Sequence, residues 1–151
     1  MMHLLRRFFG FLTAKPLSPS DQRHVADLLH PRLSRVFFAQ RPEDQRHAFE
    51  VQARVQSSQE CTQAALLHDI GKTESGLGAV ARSLATVCRG IGIPTSGRWS
   101  SYLDHGALGA DMLADLEADD LAVAFTRFHP GPPPSNVERA DWRRLEDADD
   151  A

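Results

Sequence analysis

Cysteine is scarce in this chain: Cys61 and Cys88 are the only two. Each sits in a helix-like segment, and their separation fits neither a zinc ribbon nor a redox pair. A disulfide framework is therefore excluded, and buried free thiols in a reducing, cytoplasmic setting are expected. Long apolar runs are missing as well. The opening Met1 to Leu12 is too short to span a bilayer, which takes about 20 residues, and it lacks a small-residue cleavage site. There is no basic excess: a net charge of −3 argues against a general nucleic-acid binder, which would carry a basic stripe and a high pI. Neither strand-like alternation nor a repeat with a period of about 20 to 50 residues occurs.

What is present is an ordinary globular composition, 42% hydrophobic and 25% charged, over 151 residues, which suits one domain. The expected class is all-α, a compact helical bundle over residues 20–151 preceded by an apolar and basic helical segment with its linker, residues 1–19. In that segment Leu4, Leu5, Phe8, Phe9, Phe11 and Leu12 accompany Arg6 and Arg7. Packing on the domain is expected, with a membrane surface, a partner or a second copy as alternatives. Ser20 is the expected cap of a first helix from Asp21, and Pro31 and Pro42 open the next two. Helices over Gln59 to Ile70, Ala79 to Arg89, Trp99 to Leu116 and Asp119 to His129 follow, with a last one after Pro134.

The stretch His68-Asp69-Ile70-Gly71-Lys72 closes the apolar run Ala64-Ala65-Leu66-Leu67. Adjacent helical residues point about 100° apart, so His68 and Asp69 can reach one ion only where the helix ends, and Gly71 permits that ending. Lys72, a turn away, adds a cation suited to gripping a phosphate ester. A lone histidine on a helix face is more often an ordinary core side chain than a ligand. His47, however, shares its face with Val51 and Val55, His105 lines up with Leu108, Met112 and Leu116, and His129 follows Ala122 and Phe125. Gly109 removes bulk one turn beyond His105. Inward histidines on successive helices are how bundles build metal centres. His3, His24 and His30 do not fit that pattern.

His47, His68-Asp69 with its Ile-Gly-Lys continuation, and Asp149, in that order, resemble the HD-domain superfamily of metal-dependent phosphohydrolases. His105 and His129 resemble the additional ligands of the subset that holds two metals. The resemblance implies a first ion on His47, His68, Asp69 and Asp149, with Asp147 and Asp150 as alternates for the last. Asp69 would bridge to a second ion on His105 and His129, and Lys72 would contact phosphate. No Gly-Tyr-Pro follows His129, which argues against hydrolysis of cyclic di-GMP.

The implied activity is hydrolysis of a phosphate ester or anhydride, with a nucleotide as the expected substrate, by a hydroxide formed on the metal, with Asp69 and Lys72 as the catalytic residues. Phosphomonoesterase, phosphodiesterase and dinucleoside polyphosphate hydrolase activities are not distinguished. Histidine nitrogen with carboxylate oxygen suits manganese, iron, zinc, cobalt or nickel, one or two ions, better than calcium. Two alternatives share these residues: a non-catalytic, nucleotide-binding regulatory domain, and an HD-type di-iron oxygenase. Arg98 and Arg127 are weaker candidates for phosphate contact.

Overall fold

The computed structural model describes residues 15–55 and 58–151. The apolar segment over residues 4–12 lies outside the described residues, and so do the contacts expected of it. All regular structure among the described residues is helical, as the period of the apolar positions predicts.

The helices are α1 (Pro19–Leu28), α2 (Pro31–Ala39), α3 (Pro42–Val55), α4 (Gln59–Leu67), α5 (Lys72–Ser75), α6 (Ala79–Gly90), α7 (Arg98–Leu103), α8 (His105–Asp115), α9 (Asp120–Phe128) and α10 (Arg139–Asp150). Pro19, Pro31 and Pro42 all stand at the first helical position, where the missing N–H costs nothing. The cap of α1 is Ser18 rather than Ser20. Its hydroxyl accepts from the Asp21 N–H at 3.2 Å, and the Asp21 carboxylate accepts from the Ser18 N–H at 3.2 Å. Both orphan donors are satisfied by a reciprocal box that only a cap three residues before the acid can close.

The centre of the molecule is α4. Cys61, Thr62, Ala64, Ala65, Leu66 and Leu67 are all buried, so the helix is enclosed on every side rather than along one stripe. On one flank Leu66, Leu67 and Ile70 meet Val25, Leu33, Phe37, Ala48 and Leu113. On the other, Cys61, Ala64 and Ala65 meet Val51, Phe125, Trp142 and Leu145. Phe125 and Trp142 pack edge to face at 5.0 Å and are buried; burying a side chain such as Phe125 stabilises by roughly 1.5–3 kcal/mol. The anchors Trp142 and Leu145 hold α10 against α3 and α4, which brings the end of the chain to the middle of the fold.

Two expected helices are interrupted. The helix over Gln59 to Ile70 ends at Leu67, and residues 68–71 turn through short bonds from Ile70 N–H to Leu67 O (3.0 Å) and from Lys72 N–H to Asp69 O (3.0 Å). The helix over Trp99 to Leu116 breaks at Asp104 into α7 and α8. The Tyr102 carbonyl there accepts from the His105 imidazole at 2.6 Å, and a side chain competing for a main-chain acceptor interrupts helical bonding.

Candidate metal centre

The turn after α4 solves the problem of aiming two adjacent side chains at one place. With the helix ended at Leu67, His68 and Asp69 both point inward, 4% and 6% exposed. Gly71 is in ordinary right-handed conformation, so a glycine is required there for space and not for a left-handed turn. A Cβ on Gly71 would collide with the carbonyl oxygen of His105 and stand 2.7 Å from the Gly109 nitrogen. The close approach expected at Gly109 is therefore an approach of backbone, and it seats α8 directly over the turn.

His47 from α3, His68 and Asp69 each offer a ligand atom within 4.8 Å of the others, a group able to hold a cation. Asp149 joins from α10: its Oδ1 lies 2.7 Å from His47 Nε2 and 3.5 Å from His68 Nε2, and its Oδ2 lies 3.0 Å from His129 Nε2. Asp69 Oδ2 is 3.4 Å from His68 Nε2, and Asp69 Oδ1 is 3.7 Å from His105 Nε2. Contacts of 2.7 to 3.7 Å thus link all six residues named from the sequence as neighbours, and three of them, His47, His68 and Asp69, lie within mutual reach of one ion. The grouping differs in one respect from that implied by the resemblance. His129 closes on Asp149, and its ring stacks on Phe125 at 4.6 Å and stands 6.3 Å from His68, while His105 alone faces the second oxygen of Asp69.

Asp149 is 6% exposed, whereas Asp147 and Asp150 are exposed. The burial of Ala148 and Leu145 on the same helix fixes its inward direction, so the acidic end of the chain is an ordered helix face. His24 packs against Phe49 and His30 caps α2 through the Arg32 N–H, so neither joins the group; His3 lies outside the described residues. Arg98 binds the carbonyls of Ser75 (2.7 Å) and Gly76 (2.6 Å), and Arg127 pairs with Asp111 on the surface. Both arginines have structural partners. A shallow hollow lined by Arg89, Ile93, Pro94, Ser100 and Asp104 lies elsewhere, and none of the six residues lines it.

The electrostatics ask for positive charge. Burial would push the His68 imidazole down, but Asp69 and Asp149 outweigh burial and raise it to about 10. Burial would likewise raise Asp69; Lys72 and His68 instead hold it well below the usual carboxylate range. Asp149 is lowered by His129, His47 and His68 against its own burial. His105, which has less carboxylate around it, is lowered by burial. The carboxyl end of α4 adds its own negative partial charge at the same point.

The donor set could hold a metal ion. The His68 Nδ1–H donates to the Ala65 carbonyl at 2.9 Å, and the His105 Nδ1–H donates to Tyr102. A carbonyl can only accept, so each ring keeps its Nε2 for the carboxylates, which is how metal-binding imidazoles are oriented. Sequence reasoning passed over two residues beside this group, Asp44 and Arg82. They form a buried, two-pronged ion pair at 2.6 and 2.8 Å. The available signal was Asp44 standing one turn before His47 on the same helix face. Compared with protein-family models, with curated proteins and with solved structures, the chain finds no match.

Proposed function

We propose that the protein is a metal-dependent phosphohydrolase of the HD type, acting on a phosphate ester or anhydride, with a nucleotide as the expected substrate. The observation that carries this reading is the orientation of His68. Its Nδ1 is committed to the Ala65 carbonyl, and its Nε2 stands between two buried carboxylates, 3.4 Å from Asp69 and 3.5 Å from Asp149. Two buried anions facing one nitrogen need a cation, and borderline nitrogen with oxygen selects a transition metal.

His47, His68, Asp69 and Asp149 would hold one ion, with His129 beside Asp149; a second ion would be held by His105 with Asp69, and by His129 only after it leaves Asp149. Such an ion supplies Lewis acidity and lowers the pKa of water to the neutral range. Lys72 supplies fixed positive charge where charge grows on a phosphoryl oxygen. The enclosing helices keep this charge in a medium where it acts more strongly than in water. Asp69, whose two oxygens face different imidazoles, can serve both halves of the group.

The test combines metal content with turnover. Chain prepared without chelators is assayed for manganese, iron, zinc, cobalt and nickel, then for phosphate release from nucleotides and dinucleoside polyphosphates. His68→Ala and Asp69→Ala are expected to abolish both metal retention and release. Release that survives both substitutions ends the proposal, and oxygen uptake by the ferrous protein in place of phosphate release would replace hydrolysis with oxygenase chemistry.

A further inference from the structure

Beside the His68 imidazole, a second cation already at the centre is Lys72. Its ammonium donates to Asp69 Oδ2, the same oxygen that lies 3.4 Å from His68 Nε2. Asp69 is the carboxylate that the His47, His68 and Asp69 group would offer to an ion. The side chain of Lys72 is 18% exposed, with little water to solvate a charge left alone.

The next carboxylate in reach of its field is Asp44, 1% exposed. Both Asp44 oxygens are taken by Arg82, at 2.6 Å from Nη1 and 2.8 Å from Nη2, and Arg82 is 5% exposed. Lys72 is paired with Asp69, and Arg82 with Asp44. When Asp69 gives Oδ2 to a divalent ion, Lys72 loses its partner. Asp44 cannot replace that partner without breaking a two-pronged, buried pair, which is strongly unfavourable. An anion from outside would then neutralise Lys72.

We propose that Lys72 is a stand-in cation on Asp69 in the metal-free centre, and that metal loading releases it to create the anion subsite, so that metal and phosphate binding are coupled through this side chain. The inference rests on the metal-binding reading above and adds the order of events. Metal loading precedes tight anion binding, and the metal-free centre is guarded against both. Linkage makes the coupling reciprocal: phosphate tightens metal binding by the factor by which metal tightens phosphate binding.

The test is calorimetric titration of the chelator-treated full chain with Mn²⁺, with and without inorganic phosphate. Wild type, Lys72→Met and Lys72→Arg are compared, with Lys72→Gln as a second neutral variant should the methionine chain fail to fold. Loss of the competing ammonium is expected to tighten Mn²⁺ binding in phosphate-free buffer by about tenfold, and to shrink the gain from phosphate by a similar factor, within the usual span of coupling between sites. Lys72→Arg, which keeps the charge, is expected to stay near wild type in phosphate-free buffer.

A neutral variant that binds Mn²⁺ no tighter than wild type overturns the inference and leaves the metal-binding reading standing. It would mean that Lys72 keeps Asp69 Oδ2 while the ion takes Oδ1. Absence of Mn²⁺ binding in wild type and variants alike overturns both.

Discussion

Gly71 and Gly109 cross with no room for a side chain on either: a Cβ on Gly109 would stand 2.8 Å from the Gly71 nitrogen and 3.1 Å from its Cα. The nearest obstacle in both directions is main chain, which cannot swing aside as a side-chain end can, and at Gly109 the Thr126 Cγ2 adds a side chain at 3.0 Å. Gly71→Ala or Gly109→Ala is expected to destabilise by about 3 kcal/mol, the upper end for overpacking. Urea denaturation measures this. Because the crossing also sets His105 over Asp69, metal retention is expected to fall in the same variants even where they remain folded. An alanine at either position with wild-type stability would contradict the close crossing.

The pH dependence of the metal-free chain follows from opposite shifts. The imidazole of His68 is raised from 6.5 to about 10, so its contribution is full below 6.5 and is lost as pH rises through 10. Asp69 and Asp149 are lowered from 3.8, so theirs is full above 3.8 and is lost as pH falls toward their folded values. Stability of the chelator-treated chain is therefore expected to be greatest between 3.8 and 6.5 and to decline toward pH 9. Thermal melts at pH 5.5 and 9 measure the difference, and His68→Gln is expected to flatten the alkaline slope. Metal requires the neutral imidazole, so with Mn²⁺ present the slope is expected to reverse.

The Asp44–Arg82 pair is buried at both ends. Removing one partner strands the other, so Asp44→Ala and Arg82→Ala are each expected to cost about 3–5 kcal/mol. A double replacement by apolar residues of similar volume is expected to cost less than the two single changes together. Denaturant titration of the four chains gives the comparison, and strict additivity would argue against a coupled pair.

His105 meets the centre only through Asp69 Oδ1, 3.7 Å away, while His47 and His129 share Asp149. Elemental analysis of His105→Ala is expected to show one equivalent of metal fewer than wild type, whereas Asp149→Ala empties the group that contains His68. Equal metal content in His105→Ala and wild type would remove His105 from the ligand set.

Much of the centre is readable before any coordinates. His47 and His129 lie on stripes with the buried Val51 and Phe125, and the inward direction of such stripes is a local property of helical periodicity. The stripe expected for His105 is not the buried one: Leu108 is exposed, and α8 buries Gly109, Ala110 and Leu113 instead. Asp149 was harder to read. Five carboxylates among residues 146–150 and 141 look solvated, and only the seating of Trp142 and Leu145 in the core turns one of them inward. The break at Asp104 was not legible either, because it depends on the His105 imidazole taking the Tyr102 carbonyl.

By itself the sequence determined that the described chain is helical, that Pro31 and Pro42 open the second and third helices, and that His47 and His129 share faces with buried apolar residues, because proline geometry and apolar periodicity act within a turn or two. The tertiary structure decided what those histidines meet. Residues 47 and 149 come within 2.7 Å of each other only because α10 is anchored across α3 and α4. The pairings of Lys72 with Asp69 and of Arg82 with Asp44 are likewise set by packing, which brings these carboxylates to the buried cations.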